Sequence, residues 1–348
     1  MTEVKIGICK NEKIFSHEGQ WTDYFAKACQ EKGIPYEFVN CYGNDIIAKA
    51  GEYSHLLWNV QNYVYCDILE ADNILTSIER QGVKVFPDRN TRWHFDDKVA
   101  EMYLLQSVNA PMPKSWVFYE LEECLDWLKN EAKYPLVAKL RCGSGSNNVK
   151  LLKSFSEAKK YAKTMFSKGF NPSPSFLYKA YSKAQSAKDW NMVVARIKKI
   201  PSFLNTLRHA KQFPNEKAYC YFQEYIENKG YDLKVVVIGD KLSFFARNVR
   251  KGDWRASGGG DFYYDKNLIT QNIIDSAFRT ADEAGFQCMG FDYVVDAKTG
   301  EGLIIEMCYG FDHMALYDAG GYFDRAGQWH DTPVDIPREI IERMIEKA

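Results

Sequence analysis

Four segments in the second half of the chain, in a fixed order, limit what it can fold into. They read YPLVAKLRCGSGSNN (134–148), YFQEYIENKGYDLKVVVIGD (221–240), GFDYVVD (290–296) and GLIIEMCYG (302–310). Each contains a short, bounded apolar run of strand length with charge or glycine at one end. In order they supply a strand lysine beside a glycine loop, a strand ending in acid, and two carboxylates on neighbouring strands. Such parts together make a nucleotide-and-magnesium site.

The 348 residues allow two or three domains at about 150 residues each. A hydrophobic fraction of 46% and a charged fraction of 26% fit an ordinary globular protein. The formal net charge of −1 gives no bulk field toward nucleic acid or a membrane surface, so neither is expected as a partner. No apolar run reaches the ~20 residues that span a bilayer. The start, MTEVKIGICKNEK, lacks the apolar core of a signal peptide, and a cytoplasmic location is expected. The nine cysteines include no Cys-x-x-Cys pair, which argues for free thiols rather than a zinc site.

Residues 1–90 alternate strand and helix: strands at Val4–Cys9, Ile34–Val39, Ser54–Trp58 and Val83–Phe86, helices at Gln20–Lys32 and 66–81. That alternation predicts a small parallel sheet flanked by helices. No dinucleotide glycine fingerprint follows the first strand. Helices are then expected at Asp96–Ser107, with Asp96 as its cap, at Glu120–Glu131, and at Ser156–Phe166. Strands are expected at Ser115–Phe118 and Tyr134–Leu140. Residues 167–215 have no clean periodicity and read as an insertion or a surface elaboration. Beyond them, Tyr219–Tyr225, Leu233–Ile238, Leu242–Arg247, Phe291–Val295 and Leu303–Met307 read as strands. Gly239–Asp240 and 296–300 give hairpin turns. Asn272–Ala284 and the tail after Pro333 read as helices.

Lys139 ends an apolar strand before Gly143, Ser144, Gly145 and Ser146. A point cation suits phosphates, and glycines let backbone N–H groups approach phosphate oxygens. The same residues also fit a plain surface turn. No Gly-Lys-Ser/Thr follows, so this is not a Walker loop. Glu224, Tyr225, Ile226 and Glu227 form a strand end that suits a purine edge and a ribose, or simply an exposed acidic strand. Asp292 and Glu306 lie on adjacent apolar strands and can converge on a hard cation. Arg247, Arg250 and Arg255 cluster in sequence beside the Gly258–Gly260 run; guanidinium forks suit phosphate, carboxylate or an oxyanion. His209 and His313 are candidate bases, although lone histidines are more often structural.

Taken in order, these segments resemble the ATP-grasp enzymes, and among them the ribosomal-protein glutamate ligases and related amide-forming ligases, over roughly residues 83–313. The resemblance implies an α/β fold: ATP-grasp lobes preceded by an N-terminal parallel α/β domain. The implied division is 1–95 as a substrate-side domain, 96–215 as the small lobe with the glycine loop, and 216–348 as the lobe with the magnesium site. ATP and one or two magnesium ions are the implied cofactors. Lys98 and Lys139 would meet phosphates, Glu224–Ile226 the adenine, and Glu227 the ribose. Asp232 and Lys234 fall where the family has Asp-x-Arg, Lys replacing Arg. Arg247 would face the γ-phosphate, and Asp292 and Glu306 would hold magnesium. Cys308 stands where the family usually has Asn, and a neutral thiol is a poor magnesium ligand; Asp312 or water would complete that site.

The implied activity is ATP-dependent activation of a carboxylate as an acyl phosphate and its transfer to an amine. The acceptor would be a small amino compound, a peptide end or an amino sugar. Such enzymes often assemble as homo-oligomers. A small-molecule kinase on the same lobes and a degenerate nucleotide-binding regulator are the alternatives.

Overall fold

Residues 4–10, 21–62, 64–143, 148–172, 212–249, 254–255 and 262–346 are described by a computed structural model, and they build three sheets. The first sheet takes β1 (Ile6–Cys9), β2 (Tyr36–Val39), β3 (His55–Leu57) and β4 (Lys84–Phe86), all parallel in the order β2-β1-β3-β4. Every residue of β1 is buried, as expected of a central parallel strand covered on both faces. Helices α1 (Trp21–Glu31), α2 (Ile46–Ala50) and α3 (Tyr65–Glu79) make the crossovers. The parallel layer read from alternation is therefore present.

Two helices follow, α4 (Arg89–Arg92) and α5 (Lys98–Ser107). The cap of α5 is Asp97 and not Asp96: its carboxylate accepts from Val99 N at 3.1 Å and Ala100 N at 3.0 Å. Asp96 takes a left-handed backbone, φ 54°, which turns its side chain elsewhere. The second sheet holds β5 (Ser115–Phe118), β6 (Leu136–Lys139), β7 (Val149–Leu152) and β8 (Cys220–Glu224) in the antiparallel order β5-β8-β6-β7. Helices α6 (Leu121–Asn130) and α7 (Phe155–Met165) accompany it. Strand β8 comes from beyond residue 215. Strand β7 is absent from the sequence reading, because a half-buried edge segment with a lysine in its middle has little apolar signal.

The third sheet is antiparallel, in the order β13-β12-β9-β10-β14-β15 with β11 on β10. Its strands are β9 (Asn228–Ile238), β10 (Lys241–Asn248), β11 (Phe262–Tyr263), β12 (Met289–Asp296), β13 (Gly302–Cys308), β14 (Tyr322–Phe323) and β15 (Trp329–His330). Helices α8 (Gln271–Ala284), α9 (His313–Asp318) and α10 (Ile336–Glu346) complete the chain as described. The first and third sheets share one hydrophobic core, whereas the second sheet has its own. Ile336, Ile340, Ile341 and Met344 of α10 are buried in the shared core, close to α1.

Ser144, Gly145, Ser146, Arg250, His209, Gly258–Gly260 and most of the 167–215 segment lie outside the described residues.

Candidate nucleotide and metal site

Register on the large sheet sets the centre of the site. Asp292 on β12 lies opposite Lys234 on β9 and opposite Glu306 on β13. One cation and two acids thus stand in a row across three strands. Lys234 Nζ lies 2.7 Å from Asp292 Oδ1. Arg247, on β10 opposite Asp232, forks onto both Asp232 oxygens and also donates to Asp292 Oδ1 at 3.1 Å. Burial works against charge on Asp292, but Lys234 and Arg247 outweigh it and hold the carboxyl below its usual range. Arg247 likewise resists burial, kept protonated by Asp292 and Asp232.

Helix α5 and strand β6 bring two lysines to Glu306 and its strand. Lys98, the first residue of α5, is buried, with Nζ 3.3 Å from Glu306 Oε1 and donating to Gly143 O. Burial opposes its charge, yet Glu306, Asp96 and Glu101 hold its pKa above the ordinary lysine value. Lys139, at the end of β6, donates to Ile305 O at 2.9 Å across the lobe boundary. Burial pulls it down to about 8, against the pull of Glu306.

Two hollows meet at Glu306. A narrow, largely apolar cleft is walled by Val137, Val149, Ile226, Val294 and Ile305, with Lys139, Glu224, Tyr225, Trp254 and Arg255 around it. A larger chamber of mixed lining includes Lys234, Arg247, Asp292, Glu101 and Cys308. Its walls carry Trp21, Phe95, Phe245 and Phe311, with Asn59, Gln61 and Asn62 from the loop after β3. Glu306 lines both hollows.

The residues singled out from sequence distribute unevenly over this geometry. Lys98, Lys139, Lys234, Arg247, Asp292 and Glu306 come together. Glu224, Tyr225 and Ile226 line the narrow cleft, whereas Glu227 is exposed and outside that lining, 3.9 Å from Lys298. Asp232 is fully buried and lines neither hollow; it grips Arg247 from below. Arg255 lies at the cleft and Arg247 in the chamber, so these two do not share one wall. His313 is buried against Trp21 and Tyr24 and lines neither hollow. Asp312 lines the chamber but also caps α9 by accepting from Ala315 N at 3.2 Å.

Sequence reasoning passed over Glu101, which lies one helical turn beyond Lys98 and accepts from Met307 N at 3.2 Å. Burial, opposed by Lys98, pushes its carboxyl up to about 8. The spacing of three from Lys98 was the available signal. The Asn59–Asn62 loop gave none.

Among the described residues no group of three or more His, Cys, Asp or Glu could hold a metal. The Cys308 thiol donates to Gly310 O at 3.4 Å and accepts from Gly310 N at 3.2 Å, within its own turn. Of the ligands the sequence suggested, Asp292 and Glu306 face one another on adjacent strands. That set suits magnesium, which takes one or two protein carboxylates and fills its other positions with phosphate oxygens and water.

No family model matches the chain. It is 20% identical over 275 residues to the alpha-aminoadipate–LysW ligase LysX of Saccharolobus solfataricus, across 77% of this chain and 82% of that protein. The D-cycloserine synthetase DcsG matches with a TM-score of 0.59 at 11% identity, over 99% of each chain. A RimK domain ATP-grasp protein from Sphaerobacter thermophilus matches with a TM-score of 0.57 at 15% identity, over 98% of this chain and all of the other.

Proposed function

We propose that this chain, which has the ATP-grasp fold, is an ATP-dependent carboxylate–amine ligase. The observation that carries the reading is the junction at Glu306. There an apolar cleft suited to a planar base meets the larger chamber beside Lys139 and the Lys234–Asp292–Glu306 row, with Lys98 paired to Glu306. A nucleotide laid through that junction puts its base between Val137, Ile226 and Ile305, its phosphates at the lysines, and its terminal phosphate toward Arg247.

Adenine recognition falls to the strand end at Glu224–Ile226, where backbone groups after β8 leave the ladder. Lys98 and Lys139 neutralise phosphate charge from the small lobe. Asp292 and Glu306 are the residues that would hold magnesium, which when bound screens the phosphates and steadies the charge of the leaving ADP. In the chamber, a substrate carboxylate oxygen attacks the γ-phosphorus, the bond to the β-phosphate oxygen breaks, and ADP leaves. Arg247, rigidly forked by Asp232, faces the charge that develops on the transferred group. An amine then attacks the acyl carbon, phosphate departs, and the amine loses a proton. The protein contributes position and fixed charge.

The test is ADP release with magnesium and ATP across pairs of carboxylic acids and amines. ADP that appears only with both substrates, together with an amide product, supports a ligase. ADP and a stable phosphorylated product from one substrate alone would replace this reading with a kinase. EDTA in excess of magnesium is expected to stop turnover, and magnesium alone to restore it.

A further inference from the structure

We propose that Asp96 is a positioning residue for the nucleotide phosphates, acting through the peptide of Gly143 and tying it to the substrate chamber. The inference rests on the ligase reading above, in which Lys98, the lysine that donates to Gly143, meets those phosphates.

Asp96 sits at φ 54°, in the left-handed region that side chains other than glycine seldom adopt. Strain of this kind persists only where the surroundings over-determine it, and it concentrates at functional sites. Here the strained turn delivers the Asp96 carboxylate to Gly143 N, at 3.1 Å from one oxygen and 3.2 Å from the other. Two residues on, Lys98 donates to the carbonyl of the same glycine. The 96–98 segment therefore holds Gly143 by both its N–H and its C=O. The two preceding N–H groups, of Arg141 and Cys142, are taken by Glu216 at 2.7 and 3.0 Å. Three successive backbone donors at the root of the glycine segment are thus fixed by carboxylates.

Asp96 differs from Glu216 in where it faces. It lines the substrate chamber beside Asn62, whose Nδ2 lies 3.5 Å from Asp96 Oδ1. A hydrogen-bonded path therefore runs from the first sheet's loop through Asp96 to Gly143. Gly143 itself has φ 116°, a conformation that favours glycine, and an added Cβ would fall 2.3 Å from Asn148 Nδ2. Removing Asp96 frees the N–H side of this clamp and leaves the adenine cleft untouched.

The experiment compares binding of Mg-ADP and of adenosine, by titration calorimetry, to the full chain and to Asp96→Ala and Asp96→Asn. Asp96→Ala is expected to weaken Mg-ADP by about tenfold while adenosine binds as before, which also shows that the fold is intact. Asp96→Asn keeps an acceptor oxygen and should bind Mg-ADP within about threefold of the parent. Unchanged or tighter Mg-ADP binding in Asp96→Ala would overturn the proposal, the latter by making Asp96 a competitor of phosphate. Equal weakening of both ligands would also overturn it, leaving Asp96 a purely structural role. Failure of the parent chain to bind either ligand would instead sink the nucleotide reading beneath it.

Discussion

Single side chains carry both the chemistry and the energetic oddities of this molecule. Lys139 and Glu306 both line the narrow cleft; in the proposed reading, losing Lys139 removes a cation from the phosphates and losing Glu306 removes a carboxylate that would hold magnesium. Lys139→Ala and Glu306→Gln are each expected to lower turnover by about 10²-fold or more with the fold retained, as measured by ADP release and circular dichroism. Near-normal turnover in either variant would remove that residue from the site. Asp67 poses a different problem. It is buried in the first turn of α3 and accepts one bond, from Gln61 N at 2.7 Å. Burial pushes its carboxyl from 3.8 to about 7. A raised folded pKa means the stability of the protonated form is full below the unfolded value and is lost as pH rises toward 7. Asp67→Asn, which keeps the acceptor without the charge, should match the parent near pH 4. At pH 8 it should exceed the parent by up to about 4 kcal/mol. Denaturant midpoints at the two pH values decide it, and equal gains at both would refute the titration argument. The sequence singled out Lys139, which ends an apolar run, and Asp292 and Glu306, which interrupt apolar strands, and the structure brings the three together. The site was not legible at Asp96 or Asn62, whose roles depend on a backbone turn and a neighbouring loop.

At the scale of elements, strong periodicity found the long strands and helices, and local contest decided the rest. Strands β9, β10 and β12 were visible because each is buried along most of one stretch, and β13 because of its apolar Leu303–Ile305 run, while two-residue pairings such as β14–β15 have no period to read. Asp96 and Asp97 compete for one cap, and only the backbone geometry assigns it to the second. Strand β12 also shows how packing sets function. A Cβ at Gly290 would meet Phe311 Cδ1 at 2.9 Å, Cys308 O at 3.0 Å and the Lys234 stem at 3.3 Å. The bare glycine therefore lets Lys234 lie across β12 and reach Asp292. Gly290→Ala should cost about 1–3 kcal/mol through overpacking, and should depress turnover because Lys234 and Phe311 must both shift. A fully active, equally stable variant would show that Lys234 has another path.

For the whole molecule, two cores carry three sheets, and this predicts how nucleotide binding is felt. The first and third sheets are welded through one core, with α10 buried against it and His55 Nε2 3.2 Å from Met344 O. The second sheet has a separate core, and among the described residues its links to the rest include Lys98 to Glu306, Lys139 to Ile305 O, Glu101 to Met307 N and Ile304 N to Pro111 O at 2.8 Å, with Met112 packed against both cores. Units with their own core open locally at less than the global free energy. A ligand held across the boundary must release before the small lobe can separate, and at a hundredfold excess over its Kd it adds about 2.7 kcal/mol to that opening. Hydrogen exchange should therefore slow by roughly 100-fold in β6, β7 and β8 when Mg-ADP is present, with little change in α1 and α10. In Lys139→Ala the same Mg-ADP concentration should protect the second sheet far less, because the lysine proposed to grip the phosphates from that side is gone. Protection spread evenly over all three sheets would mean that the molecule opens as one unit. Protection confined to the third sheet would mean that the nucleotide does not bridge the lobes at all, and the junction at Glu306 would lose its role.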